Sequence, residues 1–166
     1  MRHSYSSERE MYPHVVRWLK GILLSRHRNA KVHVWDSSAT KLSRIIDDHN
    51  LSEFYPSYRS FDIRVDVVGA VVRKKDADLI LIECKITPIT LRDLGQLLGY
   101  ARVAMPRSAL LLSPSYISEA MHYLLNIYKR HEVLSFGECK NIQIARWDPM
   151  KNDIDIPSLI PSGEPF

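Results

Sequence analysis

The sequence predicts an α/β sandwich around a mixed β-sheet, and three observations carry that prediction. Apolar residues recur at helical spacing in three separate segments. Between them lie short runs that alternate in polarity or are continuously apolar, as strands are. The resulting order is helix, strand, a hairpin of two strands, helix, strand, helix, strand, which interleaves the two classes instead of segregating them.

Met11, Val15, Trp18, Leu19 and Ile22 share one stripe, so an amphipathic helix starts at about Ser7, with Ser6 or Ser7 as its N-cap. Pro13 is tolerable there in a first turn. "KVHVWD" (residues 31–36) alternates like a strand. The polar stretch 37–60 interrupts the pattern, its first half reading as a short helix and the rest as irregular. Residues 61–86 hold two strand-like runs around "RKKDAD", a polar link suited to a hairpin. Thr90 and Asp93 form a capping box that opens a helix over 90–105, with Leu91, Leu94, Leu98 and Ala101 on its apolar side. "ALLLS" (109–113) is a short buried strand. A further amphipathic helix is expected over 115–131, carrying Ile117, Ala120, Leu124 and Ile127, and "NIQIARW" (141–147) is the last strand. The Pro-rich tail, 151–166, reads as an extended or disordered end, and no internal repeat is visible.

At 166 residues and 45% hydrophobic, the chain is expected to form one domain over 1–166. Its net charge of +4 suits a polyanionic partner, and the cations cluster in "SRHRNAK", "VRKKD" and "YKRHE". Solvated turns account for the same clusters. Two cysteines far apart, Cys84 and Cys139, argue against a zinc ribbon, an iron–sulfur site or a disulfide scaffold, and a reducing cytoplasmic setting is expected. Arg17 and Lys20 break the first apolar segment, which excludes a membrane-spanning helix there.

Chemistry concentrates in "LILIECKITP" (79–88). Strand alternation puts Leu79, Leu81, Glu83 and Lys85 on one side and Ile80, Ile82, Cys84 and Ile86 on the other. Both faces are apolar upstream, so the charges lie at the C-terminal end of a central strand. A cross-strand ion pair is the simplest reading of such an E-x-K. The preceding strand shifts the balance. Asp66 borders its apolar run and faces Glu83 if the hairpin pairs antiparallel, whereas Asp62, of the same parity, is the competing candidate. Two carboxylates converging at one sheet end beside a lysine meet the needs of phosphodiester hydrolysis, oxygen ligands for Mg²⁺ and a cation near the attacked phosphate.

Asp66 followed by Glu83-Cys84-Lys85 and then a helix resembles the PD-(D/E)XK nuclease superfamily, and within it the archaeal Holliday-junction resolvases and RecB-like nucleases. Glu8 lies on the stripe of Met11, Val15 and Trp18, where that superfamily often places a first-helix glutamate, and Glu10 lies off it. "QLLGY" is similar to the Q-x-x-x-Y signature of RecB-like members, supplying Gln96 and Tyr100. The likeness spans roughly 7–113, and Val65 stands where the family has proline before the aspartate.

The resemblance implies a restriction-endonuclease-like three-layer sandwich, a central mixed β-sheet flanked by α-helices, acting as a metal-dependent DNA nuclease. It implies Asp66, Glu83, the backbone carbonyl of Cys84 and Glu8 as ligands of Mg²⁺, with Mn²⁺ able to substitute. Lys85 would position the attacking water and offset phosphoryl charge, and Gln96 and Tyr100 would orient the lysine or contact the DNA backbone. In 37–60, Lys41, Arg44 and nearby Arg59, with Phe54, Tyr55 and Tyr58, combine cations and aromatics suited to a substrate-contact insertion. A polar helix packed over the sheet is the competing reading. DNA is the expected partner, no membrane contact is expected, and cutting two strands together calls for a homodimer. A nucleic-acid-binding or assembly module without cleavage, and an α/β protein with a chance ion pair, are the alternatives.

Overall fold

The computed structural model describes residues 5–166. Its elements in chain order are α1 (Glu8–Arg26), β1 (Lys31–Asp36), α2 (Leu42–Asp48), β2 (Val67–Val72), β3 (Ala77–Cys84), α3 (Leu91–Ala104), β4 (Ser108–Ser113), α4 (Glu119–His122), β5 (Ser135–Gly137), β6 (Lys140–Asp148) and β7 (Asp153–Ile160). The sheet runs β1-β2-β3-β4-β6, with β5 and β7 both paired to β6. The β3/β4 and β4/β6 ladders are parallel and the others antiparallel, so the sheet is mixed.

Alternation along β3 separates two cores. Ile80, Ile82 and Cys84 pack with Val67, Val71, Leu110, Leu112 and Trp147 beneath Met11, Val15, Leu19 and Leu23 of α1. Leu79 and Leu81 join Val68, Ala70, Ala109 and Leu111 on the opposite face, covered by Leu42 and Ile46 of α2, Leu94, Leu97 and Ala101 of α3, and Met121 of α4. The protein is therefore an α/β sandwich with a mixed sheet between helical layers. Every residue of β4 is buried, as a strand covered on both faces requires. At Gly69 an added Cβ would come within 3.0 Å of Leu19 and 3.2 Å of Leu23, so the missing side chain lets α1 settle against β2.

Several expectations need correction. Ser7 is the N-cap of α1 but its hydroxyl makes no capping bond; Ser6 instead donates both its N–H and its hydroxyl to the Glu10 carboxylate. Pro13 lies beyond the first turn, inside the helix. The capping box of Thr90 and Asp93 is present, but the buried stripe of α3 is Leu94, Leu97, Ala101 and Ala104, and Leu91 is exposed. The helix expected over 115–131 is only α4 and a π-helical turn, Tyr123–Ile127, bounded by left-handed Tyr116 and Lys129. Residues 61–65 alternate in burial like a strand but bond instead to the start of α2, with Leu42 and Ser43 N–H groups donating to the Ile63 and Phe61 carbonyls. The stretch 37–60 adds Leu42, Ile45, Ile46 and Leu51 to the buried core.

The largest correction concerns the tail. Residues 153–160 form β7, antiparallel to β6, and Asp153 accepts a bond from the Trp18 indole at 2.7 Å. Pro157 is exposed on this outer strand, where a missing N–H costs little. Among the described residues, no helix is long and apolar enough to cross a membrane.

A chain ending at Met150 loses Ile154, Leu159 and Ile160, which are 5%, 3% and 8% exposed. At about 2 kcal/mol each, their loss is comparable to the whole stability of a domain, roughly 5–15 kcal/mol. Circular dichroism should show no cooperative melt for the truncated chain. A transition within a few degrees of the parent would mean that β7 is dispensable.

Candidate functional site

Register brings the predicted carboxylates together. Val67 pairs with Ile82, so Asp66, one residue before β2, falls opposite Glu83, the residue after Ile82. Asp66 is 8% and Glu83 5% exposed. Two buried donors hold Asp66. The Tyr12 hydroxyl donates to Oδ1 at 2.7 Å, and the Cys84 N–H donates to Oδ2 at 2.7 Å. Asp62, by contrast, is exposed and paired with Lys41 at 2.9 Å, away from Glu83 and Lys85.

Lys85 follows β3, with its N–H donating to the Leu112 carbonyl of β4. Its ammonium lies 3.1 Å from Glu83 Oε1 and 3.8 Å from Glu8 Oε1. Glu8 opens α1 and is partly exposed, whereas Glu10 faces solvent. Glu83 Oε2 is buried with no hydrogen-bond partner among the described residues. Such an orphaned acceptor is costly unless a proton or cation meets it.

The electrostatics follow from three carboxylates facing one ammonium in a partly dry place. Burial, and then Asp66, push Glu83 up to about 7 even though Lys85 pulls it down. Burial also raises Glu8, against the opposing pull of Lys85, and raises Asp66, against the bond from Tyr12. For Lys85 burial acts downward, but Glu83, Glu8 and Asp66 outweigh it and the ammonium is held more firmly. The close Lys85–Glu83 contact alone would suggest a fully ionised Glu83. Burial of the pair together with Asp66 is the stronger effect, so upward is the direction that stands. Every member of the cluster is shifted toward holding a proton: burial is the first cause for the three carboxylates, and the carboxylates are the cause for Lys85. The Cys84 thiol, fully buried, is pushed well up and packs in the core.

Oxygen donors of this kind suit a hard divalent cation. Glu83 Oε2 is the free acceptor such an ion would meet. The carboxylates do not already form a cage, however. Among the described residues, no three His, Cys, Asp or Glu side chains converge as a ready metal cluster.

The remaining predicted residues lie further out. Gln96 is exposed on α3 and its amide donates to the Tyr100 hydroxyl at 3.4 Å, not to Lys85. Arg44 pairs with Asp48 at 3.5 Å, and Arg59 is exposed in a 3₁₀ turn, Tyr58–Ser60. Lys41 and Arg44 do line one open cleft of about 570 Å³, together with Arg64. The aromatics of this segment are spent on packing: Phe54, Tyr55 and Tyr58 lie against the core, and Tyr55 donates to the Ala77 carbonyl at 2.9 Å. Sequence reasoning missed Tyr12. Its signal was present, four residues after Glu8 and thus one helical turn away on the same side.

No family model and no curated protein matches the chain. Among solved structures, it is similar to one described as the MspJI restriction endonuclease in complex with a 27-mer oligonucleotide, at 10% identity and a TM-score of 0.42, over 83% of this chain and 26% of that one. The chain thus spans about a quarter of that protein's length. A likeness this remote adds no weight to the geometry above.

With its carboxyl raised from 4.5 to about 7, folded Glu83 keeps a proton that the unfolded chain releases. The unfolded state binds fewer protons across that window, so stability falls as pH rises from 4.5 to about 7, by up to roughly 3 kcal/mol. Urea unfolding in chelator should show wild type losing ground to Glu83→Gln across this window. Parallel pH profiles for the two proteins would contradict the shift.

Proposed function

We infer that the chain is a divalent-metal-dependent deoxyribonuclease centred on Asp66, Glu83, Lys85 and Glu8. One observation carries the reading. Opposed buried carboxylates, with an orphaned Glu83 oxygen, face a single ammonium at the end of the sheet. Asp66, Glu83, Glu8 and the backbone carbonyl of Cys84 would hold Mg²⁺, or Mn²⁺ in its place. Such an ion, when bound, would polarise a phosphoryl oxygen and make water a better nucleophile at neutral pH.

The chain's own residues do the rest. Tyr12 and the Cys84 N–H lock the Asp66 carboxylate, leaving it no freedom to rotate away from Glu83. Lys85, mostly buried and held by Glu83, puts a fixed positive charge where negative charge grows on the phosphoryl group, and orients the attacking water. Gln96 and Tyr100, with Lys41, Arg44 and Arg59, would contact DNA phosphates, which sets position and not sequence. A homodimer would present two such centres to two strands.

A binding module without cleavage is the second reading. It draws on the Lys85 ammonium, which already sits between Glu83 and Glu8 and partly neutralises them.

Calorimetry with Mg²⁺ and Mn²⁺, followed by cleavage of labelled junction, duplex and single-stranded DNA, separates the two. Wild type should give a metal-binding heat that Glu83→Ala abolishes. Lys85→Met should cut at least about 100-fold more slowly, with DNA affinity in chelator nearly unchanged. Parental cleavage by Lys85→Met would remove the lysine's role. Absence of both heat and cleavage on every substrate would leave the binding module.

A further inference from the structure

The edge of the sheet beside this centre carries an aromatic cluster that the nuclease reading does not use. Among the described residues, β1 is an edge strand, paired only to β2. Val32 and Val34 turn inward to the α1 core. Lys31, His33 and Trp35 take the other face by alternation. The His33 and Trp35 rings are parallel, 4° apart in plane, with centroids 5.6 Å apart. His49, which caps the C-terminus of α2, brings a third ring to within 4.5 Å of Trp35 and 6.2 Å of His33. Both imidazoles are exposed and Trp35 is half-buried. Trp35 rests partly against the core, as Phe54, Tyr55 and Tyr58 do, so the open part of the cluster is the pair of imidazoles set against it.

Position ties the cluster to the candidate centre. Trp35 pairs with Val68 and Asp36 with Val67, the residue after Asp66, while the Ser37 N–H donates to the Asp66 carbonyl at 2.9 Å. The stack therefore begins about two strand residues, roughly 7 Å, from the Asp66 backbone. Cations flank it. Lys31 continues the same face of β1, and Lys31 and Lys20 act on His33 from nearby. The cleft lined by Lys41, Arg44 and Arg64 runs along α2 as far as Asp48, the residue before His49.

We propose that the His33–Trp35–His49 cluster is a stacking platform for unpaired nucleotides, so that the substrate of the neighbouring centre is DNA with a single-stranded segment. This rests on the nuclease reading of that centre for the chemistry, but not for the binding. Bases stack on exposed aromatic and imidazole faces without regard to sequence, and only an unpaired base can present its face. Intact duplex keeps its bases stacked inside and offers the platform only phosphates. Flanking lysines then hold the backbone of the same strand.

Tryptophan fluorescence reads the contact directly, since Trp18 and Trp147 are buried and Trp35 is the more open of the three. Titrated in chelator, where no cleavage occurs, oligothymidylate should quench wild type, and a blunt duplex of equal length should not. The His33→Ala/His49→Ala protein, altered only at exposed rings, should bind oligothymidylate about tenfold more weakly or worse. Trp35→Phe, which keeps a ring, should keep the affinity while losing the signal, as followed by anisotropy of labelled DNA. Equal quenching by the duplex, no quenching, or unchanged affinity in the double variant would overturn the platform. Failure of the nuclease reading shows separately, as absent cleavage in Mg²⁺ or Mn²⁺ by a protein whose chelator titration is intact.

Discussion

Uncompensated negative charge at the ends of β2 and β3 is the constraint around which this sheet end is organised. Asp66 and Glu83 are forced opposite each other by the hairpin register, and both are nearly dry. Such a pair is tolerable only if donors and a cation are supplied. Tyr12, the Cys84 N–H and Lys85 supply them, each from a different element: α1, the end of β3, and the turn beyond it. What they leave over, an unpartnered Glu83 oxygen and upward shifts on Glu8, Asp66 and Glu83, is the chemical opportunity.

Helix α1 makes the arrangement possible. Gly69 lets Leu19 and Leu23 come close to β2, and that close seat carries Tyr12 and Glu8 to the carboxylates. Its middle is fixed from the far edge of the sheet, where the Trp18 indole donates to Asp153 and stacks edge-on against Trp147, centroids 5.7 Å apart. The tail strand β7 thus contributes to holding the helix that shapes the centre. On the opposite edge, β1 packs Val32 and Val34 toward α1 and rests Trp35 partly against the other core, with His33 and His49 exposed beside it and cations flanking the same centre.

Much of this was legible in local patterns. The alternation of "LILIEC" separates two core faces as expected, the Thr90–Asp93 capping box is present, and the antiparallel hairpin does place Asp66 by Glu83. Local pattern misled where tertiary packing overrode it. The tail, rich in proline and short in alternation, becomes a strand because β6 offers it an open edge. The stretch 115–131 has helical spacing, but left-handed Tyr116 and Lys129 confine the helical turns to 119–127. Aromatics in 37–60 looked available for substrate and instead pack, half-buried, against the core, while His33, Trp35 and His49 carry no sequence signal as a group.

By itself, then, the sequence determined the α/β class and the core strand whose end carries Glu83 and Lys85, because these depend on periodicity and short-range pairing. Only the tertiary structure decided which groups surround those charges: Tyr12 on Asp66, Lys85 between Glu83 and Glu8, Gln96 turned to Tyr100, and three rings gathered from β1 and α2. The physical reason is that burial and charge coupling are set by residues far apart in the chain. Tyr12 and Asp66 are 54 positions apart, and no local pattern records that they will meet.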